Sequence, residues 1–249
     1  MTTEVVPGAE PFFLQGGDTG VLMIHGFSGN PVSMRDWGQA LARHNFTVCG
    51  PRLPGHGTTW QDLAARRGDE WIDEIDSALT RLRSKGGPVV LCALSFGGAL
   101  ALHLAARRPQ DVEGIVVVNP YVRDRRQVLV PFVRWFLRSV RGTGNDIKKA
   151  MQNERAYARV PLRAWSEAGR IMKQAEAELP SIVAPFLLFH SPEDHIVPRG
   201  TAEWVFDRIG SVDKELVLLP DSYHVATLDN DAPTIFERSA SFIERIVGT

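Results

Sequence analysis

"LCALSFGGAL", residues 91–100, joins an apolar run to a helix-like pattern through a single serine, Ser95. Gly97 and Gly98 follow this serine and allow a strand and a helix to pass close to each other at a sharp turn. The stretch predicts that Ser95 lies at the carboxyl end of a central strand, the edge at which open α/β sheets bind ligands.

Short apolar runs alternate with helical patterns along most of the chain. This alternation predicts a mainly parallel α/β sheet with helices on both faces. Strands are predicted at residues 20–24, 45–50, 87–94, 114–120, 184–191 and 214–220. Helices are predicted at residues 31–44, 71–85, 96–108 and 234–246, the first with Asn30 as its cap and Pro31 as its first residue.

The alternation stops between residues 121 and 179, where no strand is predicted. Helical patterns occupy residues 145–159 and 162–178. We therefore expect a core made of residues 1–120 and 180–249, with residues 121–179 inserted as a helical cap. Such insertions often form lids or substrate pockets.

Composition excludes several classes of protein. The 249-residue chain has a net charge of -1, without the basic excess typical of nucleic-acid partners. Its two cysteines, Cys49 and Cys92, lie in apolar runs, which favours buried free thiols. The N-terminal stretch does not match a signal peptide, and no apolar run is long enough for a membrane span. We expect a soluble, cytoplasmic protein.

Ser95 alone does not decide the function, because small residues are common at strand-to-helix turns. The stretch matches the nucleophile elbow Gly-x-Ser-x-Gly, except that Ala93 stands at the first glycine position. A dinucleotide-binding loop is the competing interpretation, but its G-x-G-x-x-G spacing is absent.

A serine nucleophile needs a base, and an acid that orients the base. "FLLFHSPEDHIVP" places Glu193 and Asp194 directly after a late strand, and "LVLLPDSYHVATLDND" places His224 before the last helix. This is the order Ser, Asp/Glu, His of one known triad arrangement. By itself His224 is also compatible with a histidine that caps a turn, and His195 is expected at the pocket rim or surface.

Acyl transfer also requires donors for the developing oxyanion. The backbone N–H of Phe96, directly after the serine, is one candidate. The second is the N–H of Phe27, in the "HGF" loop after the first parallel strand. The Phe27 ring is expected either to line the acyl pocket or to pack in the core.

Five segments, "HGFSGNPVSMR", "PRLPGHGTT", "LSFGGAL", "EDHIVP" and "SYHVATLDND", carry a wider resemblance. Over nearly its whole length the chain is similar to the α/β-hydrolase superfamily, and within it to bacterial monoacylglycerol lipases and small thermostable carboxylesterases. The resemblance implies a triad of Ser95, Asp194 and His224, with Phe27 and Phe96 as oxyanion donors. It also implies that Glu154, in "DIKKAMQNERAY", holds the glycerol group; the alternative is an ordinary exposed helix glutamate.

The resemblance implies hydrolysis of glycerol fatty-acid monoesters through an acyl-enzyme, without a metal or organic cofactor. A carboxylesterase for short acyl chains is the nearest alternative, and an inactive ligand-binding protein of the same fold is a second. Oligomeric state is left open.

Two features depart from the family pattern. At this crowded turn, Ala93 is interpreted as the replacement of one small residue, glycine, by another, alanine. The stretch "VLVPFVRWFLRSVR", residues 128–141, interleaves apolar residues with arginines. It is expected to form either a helix with its apolar face on the core, or an acyl-channel lining or a patch that contacts lipid aggregates.

Overall fold

The structure is a computed structural model that describes residues 4–248. Residues 1–3, which open the N-terminal stretch, and residue 249 lie outside the described residues, although the expected core includes them. Residues 4–248 form nine strands: β1 (Phe12–Leu14), β2 (Gly20–Ile24), β3 (Thr47–Gly50), β4 (Val89–Leu94), β5 (Gly114–Val118), β6 (Ser139–Arg141), β7 (Arg159–Pro161), β8 (Phe186–His190) and β9 (Lys214–Leu218). The α-helices are α1 (Val32–Arg43), α2 (Trp60–Ala65), α3 (Gly68–Arg83), α4 (Phe96–Arg107), α5 (Val130–Val133), α6 (Leu162–Glu178), α7 (Thr201–Arg208) and α8 (Ala232–Val247).

Seven of these strands form one sheet in the order β1-β3-β2-β4-β5-β8-β9. All neighbours are parallel except β1, which pairs antiparallel with β3 at the edge. The three central strands β2, β4 and β5 are buried along their whole length, as expected where helices cover both faces. The predicted mainly parallel α/β sheet is confirmed.

Alternate residues of the strands supply two apolar layers. Leu22 and Leu91 belong to the layer under α3, α4 and α6, whereas Val21 and Val90 belong to the layer under α1 and α8. Because β2, β4, β8 and β9 run parallel, the loops after their carboxyl ends emerge at one edge of the sheet. This edge carries the candidate site.

Several predicted boundaries shift by a few residues, and outside residues 121–179 three short elements, β1, α2 and α7, were not predicted. Helix α1 begins at Val32, one residue later than predicted, with Pro31 as its cap residue. The Asn30 side chain still accepts a hydrogen bond from the Val32 N–H, at 3.1 Å. Strand β1 has only three residues, too few for a recognisable alternation.

The segment 121–179 differs from its prediction in two ways. It contains strands, because β6 and β7 pair antiparallel as a separate two-stranded sheet. Residues 145–159 are not helical, and Asn145, Met151 and Arg155 have positive φ angles. Tertiary hydrogen bonds outweigh the helical pattern here, since the Lys148 and Lys149 N–H groups donate to the Asp229 carboxylate. The helix predicted at 162–178 is confirmed as α6.

In the apolar stretch of residues 128–137, Val130 is buried, but most of the others are exposed: Val128, Leu129, Phe132, Trp135, Phe136 and Leu137. The stretch forms only short helical turns, and Trp135 and Phe136 are 79% and 89% exposed. The interpretation as a helix with its apolar face on the core is therefore wrong. Cys49 and Cys92 are buried free thiols, as predicted. Within residues 4–248, no helix has the length and apolar character needed to cross a bilayer.

Candidate active site

Ser95 occupies a strained turn between β4 and α4. Its φ of 57° and ψ of -124° are unfavourable for a residue with a Cβ atom. Hydrogen bonds on both sides hold this backbone: the Ser95 N–H donates to the Val118 carbonyl, and the Ser95 carbonyl accepts from Gly98 and Tyr121, all at 2.9 Å. The turn fixes the hydroxyl at the end of the central strand.

Small residues make the turn sterically feasible. A Cβ atom on Gly97 would lie 2.3 Å from the Ile24 carbonyl oxygen, and one on Gly26 would lie 3.2 Å from the Ser95 Cβ. Ala93 is fully buried in β4, in register with Ile24 and Val117. Its methyl group belongs to the apolar layer under α4.

Residues far apart in sequence meet at this serine. The His224 Nε2 lies 2.8 Å from the Ser95 Oγ, and the His224 Nδ1 lies 2.8 Å from the Asp194 Oδ2. A carboxylate accepts, so the Nδ1 carries the hydrogen and leaves the Nε2 of the neutral ring to accept from the serine hydroxyl. The arrangement suits proton abstraction from Ser95.

Asp194 remains charged despite its burial. Burial alone would raise the pKa of Asp194, but the charge and hydrogen bond of His224 outweigh it and lower this pKa below the ordinary value. The N–H groups of Ile196 and Val197 also donate to its Oδ1, at 2.7 and 2.9 Å. The loop after β8 thus stabilises the anion that orients the imidazole.

The basicity of His224 is also set by its surroundings. Burial lowers its pKa, but the charge and hydrogen bond of Asp194, with the charges of Glu154 and Asp146, outweigh burial and raise the pKa. A raised pKa makes the imidazole a stronger base than an ordinary histidine.

The two neighbours of Asp194 do not take its place. Glu193 is exposed, and its carboxylate lies 3.0 Å from the Lys148 Nζ. His195 lies at the cavity rim, with its side chain 59% exposed and its Nδ1 2.8 Å from the Asp146 carboxylate. In this loop, Asp194 is the carboxylate that contacts His224.

The two predicted oxyanion donors lie in different parts of the chain, Phe96 directly after the serine and Phe27 in the loop after β2. Phe96 begins α4, so its N–H has no acceptor within the helix. The Phe27 N–H has no hydrogen bond to any residue in the range 4–248. The Phe27 ring packs edge-on against Phe96, Trp71 and His56, and Phe27 also lines the cavity at Ser95.

His25 supports the loop that carries Phe27. Its Nε2 accepts a hydrogen bond from the Leu53 N–H at 3.2 Å, and its Nδ1 lies 2.9 Å from the Gly26 carbonyl. Burial lowers the pKa of His25 to about 4. The ring is therefore neutral at physiological pH, as these two contacts require.

A cavity of about 140 Å³ opens at Ser95. This is small beside the roughly 300–1,000 Å³ typical of small-molecule sites. Polar and charged residues share its wall with an apolar set: Leu94, Tyr121, Val140, Val160, Trp165 and Ile196. The cavity at Ser95 therefore offers both polar and apolar contacts to an ester.

Glu154 lines the same cavity, in the irregular segment between β6 and β7, and is half-buried. Burial raises the pKa of Glu154, against an opposing influence from the His224 charge. No residue from 4 to 248 forms a hydrogen bond or ion pair with its carboxylate. The expected helix around it is absent, but Glu154 does lie in the cavity.

Two polar residues at the site were not predicted. Asn119, after β5, is fully buried and donates to the His224 carbonyl at 2.8 Å. Asp146, in the inserted segment, accepts from the N–H groups of His195 and His224, both at 3.1 Å. The "NP" step at the end of the fourth predicted strand is a sequence signal for Asn119, whereas Asp146 lay in a segment predicted to be helical.

Metal ligation is not a feature of the described part of the chain. Residues 4–248 contain no group of three or more His, Cys, Asp or Glu side chains that could hold a metal ion.

Known proteins are similar to this chain in sequence and in fold. The chain is 39% identical over 251 residues to a thermostable monoacylglycerol lipase of Bacillus sp. (strain H-257), covering 98% of each chain. It is 24% identical to a carboxylesterase of Bacillus subtilis (strain 168), covering 95% of this chain and 97% of that protein. A solved structure described with LipS and LipT, two metagenome-derived lipolytic enzymes, matches with a TM-score of 0.94 and 39% identity, covering 97% of this chain and 100% of the other.

A protein-family model adds an independent match. The model for Hydrolase_4, described as "Serine aminopeptidase, S33", matches residues 18–231, a range that includes Ser95, Asp194 and His224. Together these matches confirm the predicted α/β-hydrolase fold and the resemblance to monoacylglycerol lipases and carboxylesterases. The chain therefore belongs to the Hydrolase_4 family of α/β-hydrolases.

Proposed function

We propose that this protein is a serine carboxylic-ester hydrolase that cleaves monoacylglycerols to a fatty acid and glycerol. The observation that carries the proposal is the hydrogen-bonded chain Ser95–His224–Asp194, which opens on a cavity that also contains the Glu154 carboxylate. The 39% identity to a monoacylglycerol lipase over nearly the full length supports this substrate class.

The proposed reaction proceeds in two halves. His224 removes the proton of the Ser95 hydroxyl as its oxygen attacks the ester carbonyl, and the N–H groups of Phe27 and Phe96 stabilise the oxyanion. His224 then gives this proton to the leaving glycerol oxygen, and an acyl-enzyme remains on Ser95. Water, deprotonated by His224, attacks the acyl carbonyl. The bond between the acyl carbon and the Ser95 Oγ then breaks, His224 returns the proton to this oxygen, and the fatty acid leaves.

Glu154 is the proposed partner of the glycerol group. Its carboxylate has no partner among residues 4–248 and lines the cavity with Ser95. Glycerol hydroxyls are hydrogen-bond donors, and a buried carboxylate is a strong acceptor. A simple alkyl ester lacks these hydroxyls and gains nothing from Glu154.

We propose that residues 121–179 act as the cap over this site. Val140, Glu154, Val160 and Trp165 come from this segment and line the same cavity as Ser95. Because the cavity holds only about 140 Å³, a long acyl chain must extend beyond its enclosed part. The exposed apolar residues of the same segment are the nearest candidates for such contacts.

The substrate proposal is tested by comparing kcat/KM for monoacylglycerols and for short p-nitrophenyl esters. Glu154→Gln is expected to lower kcat/KM for monoacylglycerol by about tenfold or more, since a hydrogen bond to a charged acceptor is worth about 1.5–3 kcal/mol. Hydrolysis of the alkyl ester is expected to change little. Gln152→Ala, an exposed change two residues away, is the matched control. Equal losses on both substrates would reject the role of Glu154.

The small cavity favours one alternative, a carboxylesterase for short acyl chains. Fast hydrolysis of short esters with negligible turnover of monoacylglycerols would establish it. Amino-acid p-nitroanilides are a further comparison, because the family is described as serine aminopeptidase. Faster turnover of these amides than of any ester would overturn the ester-hydrolase proposal, and absence of a fluorophosphonate adduct at Ser95 would favour an inactive binding protein.

We further propose that residues 125–141 contact anionic lipid aggregates. This stretch contains Arg125, Arg126, Arg134, Arg138 and Arg141 and no acidic residue. It also exposes a large apolar set, of which Val128, Leu129, Phe132, Trp135 and Phe136 are the most accessible. Apolar and cationic groups on one surface match the interior and the headgroups of an anionic lipid layer.

Vesicle co-sedimentation tests this contact. Binding is expected for vesicles that contain phosphatidylglycerol, with weaker binding to neutral phosphatidylcholine vesicles and a decrease at high salt. Trp135→Ser with Phe136→Ser is expected to reduce binding several-fold, whereas Val212→Ser, at a 98% exposed site elsewhere, leaves it unchanged. Equal binding by both variants would contradict the proposal.

A further inference from the structure

Asp146 connects the two loops that carry the acid and the base. Its Oδ2 accepts the backbone N–H of His195, after β8, and that of His224, after β9, both at 3.1 Å. Its Oδ1 lies 2.8 Å from the His195 Nδ1, and its carbonyl oxygen accepts from the Val225 N–H at 3.1 Å. One residue of the inserted segment therefore binds both loops.

The contacts of Asp146 run beside the Asp194–His224 hydrogen bond. His195 directly follows Asp194, and Tyr223 directly precedes His224. The rings of His195 and Tyr223 pack edge to face with centroids 4.6 Å apart. A shift of either loop would change this packing and the 2.8 Å distance between Asp194 and His224 together.

Asp146 itself is held in place by the core. The fully buried Asp229 carboxylate accepts the N–H groups of Lys148 and Lys149 at 2.7 and 2.8 Å. The Lys148 Nζ lies 3.0 Å from Glu193 and 3.1 Å from Asp221, one residue on each of the two loops. The segment around Asp146 is thus anchored independently of its own carboxylate.

On the basis of the proposed function, we propose that Asp146 is a positioning residue, which holds the Asp194 loop and the His224 loop at the separation that proton transfer requires. It does not contact Ser95, and its effect passes through the backbone of His195 and His224. A misplacement of about 1 Å in such a pair lowers the rate by about 10²-fold.

The Asp146 charge provides a readout that a purely structural residue would lack. The charged groups around His224 are Asp194, Glu154 and Asp146, and all three raise its pKa. The charged and titratable groups that face Asp146 are His195 and Glu154. Replacing Asp146 with the neutral, isosteric asparagine is therefore expected to lower the pKa of His224, so that activity persists to lower pH.

The test uses Asp146→Ala, Asp146→Asn and the control Asp36→Asn, which neutralises an exposed aspartate on helix α1. For each protein we would measure melting, the rate of Ser95 labelling by a fluorophosphonate, and kcat/KM against pH with a soluble short ester. Asp146→Ala is expected to lower kcat and the labelling rate by about 10²-fold with little change in KM. Asp146→Asn is expected to show a smaller loss and an acid limb at lower pH, and Asp36→Asn to match wild type.

The outcomes separate this inference from the function on which it rests. Wild-type activity together with Asp146 variants that keep wild-type rates and pH profiles would overturn the positioning role and leave the esterase proposal intact. Should Asp146→Ala fail to fold, the pH profile of Asp146→Asn decides, and an unmoved acid limb overturns the inference. Wild-type protein that neither labels at Ser95 nor hydrolyses esters would overturn both proposals.

Discussion

The imidazole of His224 lies 2.8 Å from the hydroxyl of Ser95, although 129 positions separate the two residues in the chain. Ser95 directly follows β4, and His224 lies in the loop after β9. Because the two strands are parallel, both residues lie at the same edge of the sheet. Nothing local to either residue produces the contact. The chemistry of the site therefore depends on the register of the whole sheet.

Replacement of Ser95 separates activity from backbone strain. Ser95→Ala and Ser95→Gly are both expected to fold and to lose several orders of magnitude in kcat. Ser95→Gly is expected to be more stable than Ser95→Ala by about 1 kcal/mol, because glycine adopts a φ of 57° without a Cβ clash. Urea denaturation of the two variants measures the difference. A glycine variant that is less stable would show that the turn is not strained.

The pH dependence of kcat/KM follows from the state of His224. The base acts when neutral, so activity is lost as pH falls through its folded-state pKa, which lies above the ordinary 6.5. Asp194→Asn removes the main charge that raises this pKa and is expected to move the acid limb to lower pH while lowering kcat. A wild-type acid limb below pH 6.5 would contradict the assignment.

Substitutions of Ala93 test the one position at which the turn around Ser95 departs from the pattern Gly-x-Ser-x-Gly. Its methyl group is buried, so Ala93→Gly is expected to lose about 0.5–1 kcal/mol of stability through added chain entropy, with activity retained. Ala93→Val overfills the packed layer and is expected to cost about 1–3 kcal/mol and to reduce activity. Thermal melts and ester assays check both changes. If the glycine variant were the more stable one, the alanine would be a source of strain.

Asp229 is expected to contribute strongly to stability. Its carboxylate accepts backbone N–H groups from Lys148, Lys149 and Tyr223 at 2.7–2.9 Å. Asp229→Ala leaves these donors unpaired, at about 1–3 kcal/mol for each one that water cannot reach. The free energy of unfolding is therefore expected to fall by at least 3 kcal/mol. Asp221→Ala, on the exposed side of the same loop, serves as the control, and a similar small loss in both variants would contradict the prediction.

The sheet was predictable because its strands are short apolar runs separated by segments with a helical pattern. The acid and the base were predictable because each follows such a run at a fixed place in the chain order. Residues 145–159 misled the prediction, since their backbone groups bond to Asp229 and Asn145 side chains rather than to one another. The helical spacing of apolar residues carries no information about hydrogen-bond acceptors that lie far away in the sequence.

The surface at residues 128–137 shows a second limit. Its alternation of apolar and basic residues is equally compatible with a helix on the core and with an exposed patch. The two structures differ in whether the rest of the protein buries the apolar side chains, and Trp135 and Phe136 are not buried. Asp146 escaped prediction for a related reason, because its acceptor role depends on two loops about 50 and 80 positions away.

The anchoring of residues 145–149 has a consequence for protein engineering. Exchanging segment 121–179 as a cassette between relatives, in order to graft a new substrate preference, would also exchange the side chain that bonds to the His195 and His224 backbone. A chimera that keeps Asp146, Lys148 and Lys149 with their Asp229 partner, and varies only the lining on either side, is the design that leaves turnover intact.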